Sequence, residues 1–153
     1  MKALIQRVSS AKVEVELSVI GQIECGLLVF LGVEEEDSKE DLDYLVKKVS
    51  GLRIFSDSEN KMNLSVKQIN GSLLIVSQFT LIADTRKGNR PSFNNAANPT
   101  KGFEYYTEVI NKFMDTGIPV QSGKFGAKMS VTLVNDGPVT IWLDSKERHR
   151  ART

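Results

Sequence analysis

The chain has 153 residues, enough for one domain with a real core, and 41% hydrophobic and 25% charged residues are ordinary for a globular protein. A net charge of +1 excludes a wholesale electrostatic pull toward nucleic acid or membrane, so any basic surface must be local. One cysteine excludes an internal disulfide and a multi-thiolate zinc site, one histidine excludes the common histidine metal sets, and no apolar run nears the roughly 20 residues of a membrane span.

The start, MKALIQRV, reads as a first strand over 2–8 and not as a signal peptide, so a cytoplasmic, reducing setting is expected. KVEVEL follows with strict apolar/polar alternation, then a strand over 19–24 and the buried run GLLVFLGV. Cys25, between these runs, is expected to pack as a small apolar side chain. The acidic run Glu34, Glu35, Glu36 and Asp37 reads as a solvated loop favourably placed before a helix. Ser38 caps that helix with Asp41 three residues on, Leu42, Leu45, Val46 and Val49 make one face, Gly51 ends it and LRIF begins another strand.

Residues 72–79 give a strand that is apolar until Ser77. The polar loop ADTRKGNRPSFNNAANPT, of about 18 residues, exceeds the usual structureless connection, and such loops tend to carry function. Asn98 as cap and Pro99 in the first turn announce a second helix, with Phe103, Tyr106, Val109, Ile110 and Phe113 as its buried stripe and Gly117 and Pro119 beyond its end. Strands near 126–134 and 139–143 flank NDGPVT. This order predicts an α+β fold, a layered β-sandwich-like core with two main helices packed on one side, as a single domain over 1–145 with a basic tail over 146–153. Two helices cannot cover every sheet face, so a face or edge is expected to be buried against another copy.

SQFTL, at 77–81, places the hydroxyls of Ser77 and Thr80 at the end of a buried strand and raises the question of a nucleophile. A nucleophile needs a base within hydrogen-bond reach and a group to orient that base. The only histidine, His149, lies in the charged stretch SKERHRART and is not expected to be catalytic. Asp84 and Asp136 are the acids nearest SQFTL and NDGPVT, and each can cap a turn as readily as take a proton. KFGAKMS lacks the spacing of a phosphate-binding loop. Two readings stay open: the hydroxyls are structural, or the substrate supplies its own reactive group.

SQFTL at 77–81, KGNRPSF at 87–93 and NDGPVT at 135–140 together resemble the D-aminoacyl-tRNA deacylases, editing enzymes that remove D-amino acids esterified to tRNA. The resemblance runs from MKALIQRV to TIWLD at 140–144, nearly the whole chain. It implies a homodimer with its active site at the subunit interface. In it Ser77, Gln78, Phe79, Thr80 and Leu81 line the pocket for the terminal adenosine and its aminoacyl group. It further implies a cis peptide bond between Gly137 and Pro138, inserted into the partner subunit's pocket.

The family's chemistry would resolve the missing base. The ribose 2′-hydroxyl beside the ester is thought to assist the attack, and backbone N–H groups, here those of Phe79 and Thr80, would hold the oxyanion. A rigid backbone wedge would reject L side chains by clash and would let glycyl-tRNA through. Arg7 corresponds to an arginine near the wedge, with a surface ion pair as the alternative. Met129 lines the pocket or is plain core. Lys87 and Arg90 are expected tRNA phosphate contacts, beside turn scaffolding at Gly88, Asn89 and Pro91. In the tail, Lys146, Arg148, Arg150 and Arg152 add attraction to RNA or simply solubilise. No metal or cofactor is called for, and the expected partners are aminoacyl-tRNA and a second copy, not a membrane. An esterase with Thr80 or Ser77 as nucleophile and a non-catalytic tRNA-acceptor module are the competing readings. VEVELSVIG departs from the family in lacking a glycine-containing turn between the early strands.

Overall fold

A computed structural model describes residues 1–150. In chain order the strands and helices are β1 (Lys2–Val15), β2 (Ser18–Ile23), β3 (Gly26–Gly32), α1 (Lys39–Gly51), β4 (Phe55–Ser56), β5 (Met62–Leu64), β6 (Ser72–Ser77), α2 (Pro99–Asp115), β7 (Val120–Ser122) and β8 (Ser130–Asp144). Short 3-10 turns follow β6 (Phe79–Ile82) and β8 (Ser145–His149).

The two strands expected over 2–8 and 12–17 are one, β1. Its first half pairs with β3 and its second half with β2, both antiparallel, while β8 runs antiparallel along its whole length. Register shifts on either side of Val8 bend the β1–β8 ribbon where β1 changes partners. Parallel β6 and the unforeseen parallel β7 extend the sheet beyond β3. The sheet curls nearly closed: a Cβ added at Gly21 on β2 would lie 2.9 Å from the carbonyl oxygen of Ser122 on β7. The hairpin between β1 and β2 forms without glycine, using Glu16 and Leu17 at φ 49° and 66°. Two strands expected around NDGPVT are likewise the single strand β8, and LRIF supplies only β4, paired with β5 in a separate ribbon.

Curling explains the continuous apolar runs, because β3 and β6 are buried on both faces. Leu27, Val29, Leu31, Leu73 and Ile75 face the helices, whereas Leu28, Leu74 and Val76 face the inside of the curl with Val8, Val13 and Ile23. Both helices pack on one side of the sheet, as the sequence predicts. Leu42, Leu45, Val46 and Val49 of α1 are buried. On α2 the stripe is Tyr105, Tyr106, Val109 and Phe113; Phe103, expected in it, is 55% exposed. Cys25 is exposed too, because it sits in the β2–β3 turn and not on a strand face.

The acidic run is not a solvated loop throughout. Glu34 and Asp37 are buried, and the Met1 amino group donates to Asp37 Oδ1 at 2.5 Å and to Ser145 Oγ at 2.6 Å. Buried charges need such partners. The turn Ser145–His149 docks on this cluster: Ser145 Oγ donates to Asp41 Oδ1 at 2.8 Å, Arg148 pairs with Asp41, and Lys146 Nζ lies 3.3 Å from Glu34. Arg152 lies outside the described residues.

Burial opposes ionisation of Asp41, but the Ser38 N–H and the Ser145 and Ser38 hydroxyls outweigh it and hold the carboxyl well below the usual carboxylate range. A lowered folded-state pKa stabilises above the unfolded value and ceases to as pH falls through the folded one. Asp41→Asn is therefore expected to lose about 1–2 kcal/mol at pH 7. That deficit shrinks as pH drops below about 4, which thermal unfolding of both proteins at pH 7 and pH 3 checks.

Candidate active site

Strand β6 ends at Ser77, where the chain leaves the sheet with a last bond from Gln78 N–H to the Leu31 carbonyl at 2.8 Å. It then folds at once into the 3-10 turn Phe79–Ile82, in which Leu81 N–H donates to the Gln78 carbonyl and Ala83 N–H to that of Thr80. The N–H groups of Phe79 and Thr80 precede the first turn bond and find no backbone acceptor among the described residues. The Gln78 side-chain amide donates to Thr80 Oγ1, fixing that hydroxyl against the turn.

Beside this turn opens a cleft of about 530 Å³. Ser77, Gln78 and Phe79 line it together with Met129, Val131 and the 125–127 stretch of Phe125, Gly126 and Ala127, which forms one rim. Among the described residues, no charged side chain lines it. Of the residues singled out from sequence, the cleft thus gathers Ser77, Gln78, Phe79 and Met129. Thr80 and Leu81 follow on the same turn, Thr80 exposed. The lining residues Ala96, Ala97 and Gly102 were not foreseen. A signal existed in Gly102: glycine within a helix is costly and asks for a packing reason. Here a Cβ would lie 3.2 Å from the Phe125 ring.

Arg7, Gly137 and Pro138 form a second constellation, outside the cleft. Arg7 Nη1 donates to the Ile54 carbonyl at 2.6 Å and Nε to the Asp136 carbonyl at 3.2 Å, with Asp136 Oδ2 3.3 Å from Nε. It is therefore more than a strand-edge arginine, since its fork anchors the backbone just before Gly137. The Gly137–Pro138 peptide bond is cis, and both residues are exposed.

The remaining candidates fall elsewhere. Asp84 is taken up by Arg86, whose Nε donates to it at 2.9 Å and whose hydrogen bonds hold the carboxyl well below its usual range. With Asp136 beside Arg7, neither acid near the motifs is free to act as a base. Lys87 and Arg90 project from a loop that paired bonds between Asp84 and Ser92, at 2.7 and 2.9 Å, close into a compact turn. His149 lies in the 3-10 turn against α1, away from the cleft lining.

A family model described as D-Tyr-tRNA(Tyr) deacylase matches residues 4–144. The D-aminoacyl-tRNA deacylases of Thermotoga petrophila and Thermosipho africanus are each 56% identical to this chain over 147 residues, covering 96% of it and 99% of each relative. Among solved structures, that of a c-Myc DNA unwinding element binding protein is 39% identical, with a TM-score of 0.90 over 94% of this chain and 98% of that one. A probable eukaryotic D-amino acid tRNA deacylase, 17% identical with a TM-score of 0.79 over 93% and 97% of the two chains, shares the fold. With likeness of this extent to named deacylases along nearly all of both chains, the protein belongs to the D-aminoacyl-tRNA deacylase family of hydrolases.

Proposed function

We propose that this protein cleaves the ester of D-aminoacyl-tRNA, releasing free D-amino acid and tRNA, with the substrate's ribose 2′-hydroxyl assisting the attack. The observation that carries this reading is the pair of unspent N–H groups, Phe79 and Thr80, beside an uncharged cleft. Donors fixed in place before reaction stabilise a developing oxyanion, at about 3 kcal/mol each. Holding ester and hydroxyl together contributes further. A mostly apolar cleft without a charged group among its described lining residues favours no one side-chain charge and suits many different amino acids.

The working unit is a homodimer in which Gly137 and Pro138 of one subunit enter the cleft of the other and reject L side chains. Three features support it. These two residues are exposed and do not line their own chain's cleft. Among the described residues, one edge of the 15-residue strand β8 has no partner, and such edges are normally covered. Val134 and Trp142 on it are 56% and 49% exposed. Lys87 and Arg90 contact tRNA phosphates, whereas Lys146, Arg148 and Arg150 are paired with Glu34, Asp41 and Glu147 and add little attraction to RNA. No helix among the described residues is long and apolar enough to cross a membrane, which fits a cytoplasmic enzyme meeting charged tRNA.

The deciding experiment incubates the purified protein with D-tyrosyl-, L-tyrosyl- and glycyl-tRNA and follows deacylation. The D and glycyl esters are expected to be cleaved and the L ester spared. A wedge acting by clash has nothing to strike on glycine, so a surviving glycyl ester would overturn the steric account. Failure to cleave the D ester would leave the non-catalytic tRNA-binding module as the better reading.

A further inference from the structure

The 125–127 rim of the cleft carries a feature that ester chemistry does not use. Lys124 and Lys128 flank the cleft-lining stretch Phe125–Ala127, both exposed, in a turn closed by Ala127 N–H donating to the Lys124 carbonyl at 3.2 Å. Unlike Lys39, Lys112 and Lys146, neither has an acidic partner among the described residues. Against the same turn stands Phe103 of α2, 55% exposed, its ring edge-on to Phe125 with centroids 5.5 Å apart. Phe125 is backed in turn by Tyr106, 5.8 Å away. Tyr106 is itself fixed by its hydroxyl, which donates to the Ile75 carbonyl at 3.0 Å, and burial pushes its pKa up to about 12. Phe103 is thus a ring packed on the cleft-lining Phe125 with much of its surface in water, against the turn that carries two lysines without acidic partners.

Exposed aromatics interleaved with unpaired cations suit single-stranded nucleic acid, whose bases stack on rings while phosphates pair with lysines. We propose that Phe103, Lys124 and Lys128 form an exit track for the unpaired nucleotides immediately upstream of the terminal adenosine. The inference rests on the function proposed above and adds where the RNA strand leaves the site. The terminal aminoacyl-adenosine sits in the cleft. The strand then crosses the 123–129 turn, one base against Phe103 and two phosphates on the lysines.

The test compares D-tyrosyl-tRNA with D-tyrosyl-adenosine, which ends where the track begins. For Lys124→Ala/Lys128→Ala, KM for the tRNA is expected to rise with kcat unchanged, and the slope of log kcat/KM against log salt to flatten by about 1.4. For Phe103→Ala, kcat/KM for the tRNA is expected to fall roughly 10-fold. Neither variant should alter kinetics on D-tyrosyl-adenosine, and Lys124→Arg/Lys128→Arg should restore the salt slope. Equal losses on both substrates, or no loss on the tRNA, overturn the track while leaving the enzymatic reading intact. Inactivity of the native chain on both substrates overturns both.

Discussion

Hydrolysis of a D-aminoacyl ester carried on the 3′ oxygen of a 2′-deoxy terminal adenosine is expected to be roughly 10²–10⁴-fold slower than on the ribose form, the range a positioned acid–base group supplies. Under the proposed mechanism, no group among the described residues is placed to substitute for the missing hydroxyl. Among the described residues the cleft has no charged lining, Asp84 is spent on Arg86, Asp136 lies beside Arg7, and His149 is not part of the lining. Ser77→Ala and Thr80→Ala, in contrast, should cost less than about 10-fold each, because the proposed oxyanion donors are main-chain groups that survive side-chain truncation. The modest loss at Thr80 would come from its bond with Gln78, which steadies the turn. Single-turnover rates separate these effects from binding. Near-complete loss in Thr80→Ala with binding intact, together with full activity on the deoxy substrate, would make Thr80 the nucleophile.

That the hydroxyls have no histidine near them in sequence was legible, because the one histidine lies at position 149. The position of SQFTL at a buried strand's end was legible too, since β6 reads as apolar residue by residue until Ser77. Both helix starts could be read from local chemistry: Asp41 accepts from Ser38 N–H at 2.9 Å, and Asn98 accepts from Lys101 N–H at 3.0 Å. What local pattern could not show is pairing between distant segments. Ser9 and Ser10 interrupt the apolar alternation, yet β1 runs through them because β8 supports it on one side while β3 and β2 succeed each other on the other. Strand β7, with sequence Val-Gln-Ser, is too short and polar to announce itself and exists because β6 offers it an edge. Glu34 and Asp37 look solvated in sequence, since their cationic partner is the far-removed Met1 amino group. The Phe125 rim escaped notice for the same reason: only the packing of α2 against the 123–129 turn makes it a wall.

Gly137→Ala is expected to abolish discrimination between D and L esters and to lower kcat/KM on the D ester about 100-fold, the scale of a small misplacement near the chemistry. Gly137 has φ +125°, a conformation that side-chain-bearing residues rarely adopt, and a Cβ there would lie 2.8 Å from Val139 Cγ2 and 2.9 Å from Arg7 Nη2. A free arginine would swing aside, but this one is tied to the carbonyls of Ile54 and Asp136, so yielding means breaking the bonds that hold the 136–138 turn. The backbone strain alone costs about 1–3 kcal/mol, so a lower melting temperature should accompany the change. Complementation distinguishes a lost wedge from general damage. Ala127→Trp fills the cleft from its rim but leaves Gly137 untouched. Random pairing of the two inactive variants makes half the dimers mixed, each with one open cleft facing an intact wedge, so about a quarter of native activity should return, with its D preference. If the wedge served its own chain's cleft, no pairing would unite the two intact parts, and the mixture would stay as inactive as its components.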